Sequence, residues 1–157
     1  MQWFDDGIRD MLEHFAYDFY VVQPDTSVTC VCTDFATKQG DPECKKCLGQ
    51  GYKIYIRKIR GALEDRSSTF QNINVRETSS SHIYYIDRNY PVDEKDVIVD
   101  GEDVVVIHRV DRKRSTGKDT VYFKCYGVPK KNQRTLFLKN FQQILKDWED
   151  KHVRGSR

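Results

Sequence analysis

Four of the chain's five cysteines lie within eighteen positions, as Cys30-x-Cys32, eleven intervening residues, and Cys44-x-x-Cys47. Thiolates are soft ligands, and four of them complete a tetrahedral zinc site that is structural because every position is filled by protein. In the Cys44-x-x-Cys47 half, two side chains can grip one ion while the backbone turns beneath it. Gly49 and Gly51 suit that turn, because positive φ lets backbone N–H groups approach the sulfurs. In the Cys30-x-Cys32 half, strand periodicity through Val28 and Val31 places both thiols on one face. Lys45 and Lys46 offset the negative charge of a four-thiolate centre. The expectation is a structural Zn2+ held by Cys30, Cys32, Cys44 and Cys47. Buried or oxidised thiols are the competing state. A redox role for Cys44 and Cys47 is disfavoured, since no helix-forming stretch follows to lower a thiol pKa. His14 is the one imidazole near the cysteines in sequence, and it reads as a helix residue rather than a ligand.

Little else in the chain has the pattern of a reactive site. Cys125 alternates in phase with Val121 and Phe123, which makes it a core residue rather than a nucleophile. There is no Gly-rich phosphate loop, no His-Glu-x-x-His and no serine elbow. The acidic groups at 93–96 and 100–103 have the spacing of solvated hairpin ends, so no catalytic residue is assigned and the chain is expected not to be an enzyme. Basic residues bunch at 57–60, at 109–118 and at Lys130-Lys131. Within the second group, Arg112, Lys113, Arg114 and Lys118 form a basic loop that can face a partner or a channel. Yet 26 Lys and Arg are nearly balanced by 24 Asp and Glu, for a net charge of +2, which is far from a dedicated nucleic-acid binder.

The elements that must position these residues follow from periodicity. Phe4, Ile8, Met11, Leu12, Phe15 and Phe19 form a helical apolar stripe over 2–20. The chain then turns at Pro24-Asp25, enters the cysteine segment at 28–52, and leaves it through the alternating run 52–59. Further strand-like runs lie at 82–86, 97–99, 104–110 and 121–128, with Asp100-Gly101 as a hairpin turn. Polar stretches at 67–72 and 76–81 read as loops around a short 73–75 segment, and 112–118 as a long basic loop. Phe137, Phe141, Ile144, Leu145 and Trp148 make one face of a helix over 135–149, and the charged tail beyond it is expected to fray.

With 157 residues and 38% apolar content, the chain reads as a single domain, 1–157. The expected fold is mainly β with flanking helices: a small antiparallel β-barrel or sandwich over 53–128, amphipathic N- and C-terminal helices, and a zinc-ribbon-like insertion. No run reaches the ~18 apolar residues of a membrane span. Asp5, Asp6 and Asp10 interrupt the place where a signal peptide would be apolar, so synthesis in a reducing cytoplasm is expected, where clustered cysteines bind metal.

The stretch Cys44-Lys45-Lys46-Cys47-Leu48-Gly49-Gln50-Gly51 matches the C-x-x-C-x-G-x-G unit that DnaJ-type chaperones repeat, but it occurs once here and no J-domain His-Pro-Asp is present. The order of helix, C-x-x-C-x-G-x-G-[YF] segment and β-strands more closely resembles tailed-bacteriophage head–tail connector (neck) proteins. The strand–Asp-Gly–strand run 96–106 is similar to head-completion proteins. The resemblance implies a virion structural protein, an adaptor or stopper. Such a subunit forms a homo-oligomeric ring between portal and tail and touches packaged DNA non-specifically if at all. A zinc-ribbon nucleic-acid-binding regulatory protein is the alternative, and a thiol oxidoreductase a third.

Overall fold

The computed structural model describes residues 2–64, 82–114, 120–130 and 133–155. The elements are α1 (Gln2–Phe15), β1 (Tyr17–Thr29), β2 (Tyr52–Leu63), β3 (His82–Asp87), β4 (Val97–Asp100), β5 (Asp103–Arg114), β6 (Thr120–Pro129) and α2 (Arg134–Gly155). Among the described residues, six antiparallel strands and two helices thus make a mainly β protein. The strand order β1-β2-β3-β6-β5-β4 closes the sheet on itself as a barrel. The chain divides into two compact units. One comprises Met1–Val21 and Lys58–Pro129, the other Val22–Arg57 and Lys130–Arg157.

The first unit carries β3 to β6 with the start of β1 and the end of β2, and it holds the core cluster. Alternate residues point inward, as the period of two requires: Phe19 and Val21, Tyr84 and Ile86, Val105 and Ile107, Phe123 and Cys125. Register places Tyr84 opposite Cys125 and Ile86 opposite Phe123, so these side chains stack in layers. Each fully buried aliphatic or aromatic side chain contributes about 1.5–3 kcal/mol. The phase of β5 changes at a bulge. Ile107 pairs with Gly127 but Arg109 pairs with Tyr126, so His108 is the extra residue. Val105 and Ile107 face in before it, while Val110 packs on the core after it. Between β4 and β5, Asp100-Gly101 makes the expected hairpin, with Asp100 opposite Asp103 and Gly101 at φ +60°.

Several boundaries differ from those expected. The first helix stops at Phe15, and Phe19 is a buried β1 residue. The aromatic stripe at helical spacing therefore changes period after Phe15, because Phe19 and Val21 follow a strand repeat into the core. Strand β1 continues through Pro24 rather than turning there. Asp25 Oδ1 takes the Ser27 N–H and Oγ–H, a local turn inside the strand. Residues 112–114 belong to β5, with Arg112 opposite Phe123, so the basic stretch is strand at its start. Asp96 is not a solvated turn residue. It is buried, its carboxylate accepts the Asp93 N–H at 2.9 Å, and its carbonyl accepts the Ile107 N–H. The expected loops and segment at 67–81, with Lys118, lie outside the described residues.

The second unit contains the later part of β1, the cysteine segment, the early part of β2, and α2. On α2, Phe137 and Phe141 are buried and Ile144, Leu145 and Trp148 are half-buried, the face expected from the sequence. The helix runs on to Gly155, past the frayed tail expected from residue 149.

Candidate metal centre

All four clustered cysteines are free thiols, and their sulfurs lie within 4.8 Å of one another. Cys30 Sγ is 3.8 Å from Cys44 Sγ, and Cys32 Sγ is 3.4 Å from Cys47 Sγ. In a tetrahedron with metal–sulfur bonds near 2.3 Å, sulfurs stand about 3.8 Å apart. The first of these separations equals that edge and the second is shorter, so the four sulfurs are gathered at about the spacing such a centre needs.

Local backbone structure builds the cluster. Cys30 follows the end of β1, and its N–H donates to Gly51 O at 2.9 Å, which ties the two ends of the segment together. Cys32 is not on a strand face, as the sequence suggested. It sits in a turn closed by Thr33 N–H to Cys30 O at 3.1 Å, and that turn swings its thiol toward Cys47. The residue between them, Val31, is left 88% exposed. In the second half, Leu48 N–H donates to Cys44 O and Gln50 N–H to Cys47 O, so the chain coils once beneath the sulfurs.

The glycines act as expected. Gly49 and Gly51 both have φ +81°, and their backbone amides act to lower the Cys47 thiol against its burial. The amides of Cys47 and Lys46 act to lower the Cys44 thiol, and that of Asp41 the Cys32 thiol. Gly40 meets a different constraint. A Cβ there would lie 2.4 Å from Gly51 N and 2.7 Å from Gly51 Cα, so two backbone segments touch directly behind the cluster.

Burial and amide donation divide the thiols. Burial pushes Cys47 up to about 12, more than its amide donors can offset. Burial likewise raises Cys32 above the ordinary thiol value. At Cys44 burial also acts upward, but the amides of Cys47 and Lys46 and the thiols of Cys32 and Cys47 outweigh it, and the group comes down to about 7. Four sulfurs converging with amide dipoles aimed at them can hold a metal ion, and a filled tetrahedron leaves no position for water.

The remaining sequence candidates lie elsewhere. His14 is bound to its own helix, with Nδ1 2.9 Å from Asp10 O and 3.3 Å from Asp10 Oδ1. Together with Glu13 they form an exposed group. Cys125 is fully buried, and burial with the Asp96 and Asp111 charges pushes it up to about 12, as suits a core thiol. Arg112 and Lys113 are ion-paired with Asp93 at 3.5 Å and Asp111 at 3.9 Å, and Arg114 is an exposed strand end.

Two polar groupings were invisible in the sequence because they join distant strands. Tyr17 and Tyr84 both donate to Asp100 Oδ2, at 2.6 and 3.2 Å. On the β3-β6-β5 face, Lys124 stands over the rings of Tyr85 and Tyr126, and Arg109 over Tyr126 at 5.1 Å. The only available signal was alternation of Tyr and Lys within 122–126.

No protein-family model matches the chain, and no curated protein matches it in sequence. Among the described residues, no helix is long and apolar enough to cross a membrane.

Proposed function

We propose that the chain is a non-enzymatic virion structural protein of a tailed-bacteriophage head–tail connector. In this reading it is a head-completion, adaptor or stopper subunit that forms an oligomeric ring in the neck, between portal and tail. A structural Zn2+ held by Cys30, Cys32, Cys44 and Cys47 keeps one of its contact segments rigid. The observation that carries the reading is the form of that segment. Four sulfurs converge inside it within 4.8 Å of one another, while Val31 and Phe35 stand 88% and 99% exposed on its outside. A metal centre with all four positions filled has no reaction to perform, and large apolar side chains held rigidly in water are contact residues. The closed sheet also supports it, since its interior is filled by side chains rather than opened as a cleft. Arg112, Lys113 and Arg114, with Lys118, supply a basic stretch for non-specific contact with DNA or an acidic neighbour.

Native mass measurement of the chain, alone and mixed with the portal and tail proteins of the genome that encodes it, tests the reading. Ring-sized complexes are expected. A chain that remains monomeric and joins neither portal nor tail ends it.

The face bearing Tyr85, Lys124, Tyr126 and Arg109 favours a second reading, a zinc-ribbon nucleic-acid-binding regulatory protein, since partly exposed rings among cations suit base stacking. It requires binding to single- or double-stranded DNA or RNA that weakens steeply with salt, and no affinity at low salt removes it.

A further inference from the structure

The first compact unit has a cavity of about 340 Å3 between α1 and the strands. Its apolar walls are Ile8 and Leu12 from the helix and Val121 and Tyr122 from β6. Arg9 and Arg88, both exposed, stand at its rim. Asp87 also lines it, with Oδ1 occupied by the Asn89 N–H at 2.9 Å, so the lining carries a net positive charge. A cavity of roughly 150 Å3 is enough to hold a benzene ring. This one therefore has room for a phenyl group and part of the backbone behind it.

The second unit carries a side chain of that kind with nothing around it. Phe35 is 99% exposed, and it stands in a turn whose shape is already set. Asp34 N–H donates to Gln39 O at 3.0 Å and Lys38 N–H to Asp34 O at 2.8 Å, while Ala36 N–H donates to Asp34 Oδ1 at 2.7 Å. Ordering such a turn costs nothing further at the moment of contact. The residue before the ring is an exposed carboxylate, Asp34, and the cavity rim offers two guanidinium groups.

We infer that Phe35 of one copy seats in the α1–β6 cavity of the next copy, with Asp34 against Arg9 and Arg88. The contact is head-to-tail: a projecting residue of the second unit of one copy meets a recess in the first unit of the next, so each copy offers one of each. Contacts of this type build rings when the rotation closes. The inference rests on the ring reading above and names its subunit contact.

Sedimentation of the full chain over a concentration series tests it, using two variants that disable opposite halves of the contact. Phe35→Ala removes the ring and keeps the cavity; its site is solvent-exposed, so the fold is untouched. Leu12→Arg fills the cavity and keeps the ring. Should circular dichroism show that Leu12→Arg is unfolded, Arg88→Glu takes its place. The parent is expected to self-associate, and each variant to do so at least tenfold more weakly. An equimolar mixture of the two variants retains one intact contact and should stop at a 1:1 dimer. Self-association of Phe35→Ala at the parent's strength overturns the inference, as does a mixture with no dimer or a parent that is monomeric alone. The connector reading fails separately, only if the chain also never joins portal or tail rings.

Discussion

If the four sulfurs bind one metal ion, loading must expel protons, and the structure sets a minimum number. Burial holds Cys47 at about 12 and Cys32 above the ordinary thiol value, so in the metal-free protein both keep their protons near neutral pH. Ligation requires thiolates, so these two sites alone release two protons per metal. The logarithm of the affinity then rises by two per pH unit, and binding strengthens at least about 100-fold between about pH 6 and 7. Cys44, brought down to about 7, adds nearly one further proton at the acid end of that range and about half of one at the other. Competition with a chromophoric chelator of known pH dependence measures the slope, with cobalt(II) as a coloured substitute for zinc. Cys47→Ser should lower the slope by one and weaken binding by more than the 10–100-fold typical of losing a mere supporting hydrogen bond. A change clearly below about 100-fold across that unit of pH would falsify the reasoning, because at least one of the two protonated sulfurs would then not be a ligand.

Three other outcomes are expected. Gly40→Ala places a Cβ 2.4 Å from the Gly51 backbone, so it should cost about 1–3 kcal/mol and reduce hydrogen-exchange protection at Cys30 and Leu48. Gly7→Ala, which meets nothing within 4 Å, is the control, and equal behaviour of the two variants refutes the packing argument. Asp100→Ala leaves the hydroxyl of buried Tyr84 without its carboxylate partner and should lower urea-unfolding stability by about 2 kcal/mol; an unchanged midpoint counts against this. The alkaline limb follows from Cys125, raised by burial from 9.0 to about 12. The folded state keeps a proton that the unfolded chain gives up, so this stability is complete below 9.0 and is lost as pH rises toward about 12. The slope is at most about 1.4 kcal/mol per pH unit. Cys125→Ala should lessen the slope of urea stability between about pH 9 and 10 by up to about 1.4 kcal/mol per unit, the raised Cys47 and Cys32 of the metal-free protein supplying the rest before Tyr84 and Tyr17 join in, and an unchanged slope rejects the assignment.

Periodicity was most informative where the environment of a residue repeats along the chain. The runs at 82–86, 97–99 and 121–128 became β3, β4 and β6 with small extensions, because inward and outward positions alternate there without interruption. It failed where two periods meet. Phe15 and Phe19 sit at helical spacing, yet the helix leaves Phe15 73% exposed and the strand after it buries Phe19. Val104 to Val110 looked like one uninterrupted strand, but the bulge at His108 reverses which residues face in. Pro24 reads locally as a turn, and strand β1 absorbs it beside the Asp25–Ser27 bonds.

The cysteine segment divides in the same way. Its donor set, the coil beneath Cys44-x-x-Cys47 and the positive φ of Gly49 and Gly51 are consequences of residue type and short spacing, so the sequence alone determined them. Tertiary structure decided that the two halves meet, with all four sulfurs within 4.8 Å of one another. It also decided that Gly40 must touch Gly51, that Asp100 must gather two tyrosines, and that Phe35 is left in water. Each of these depends on chain segments brought together from distant positions, and no local pattern of residues encodes such a meeting.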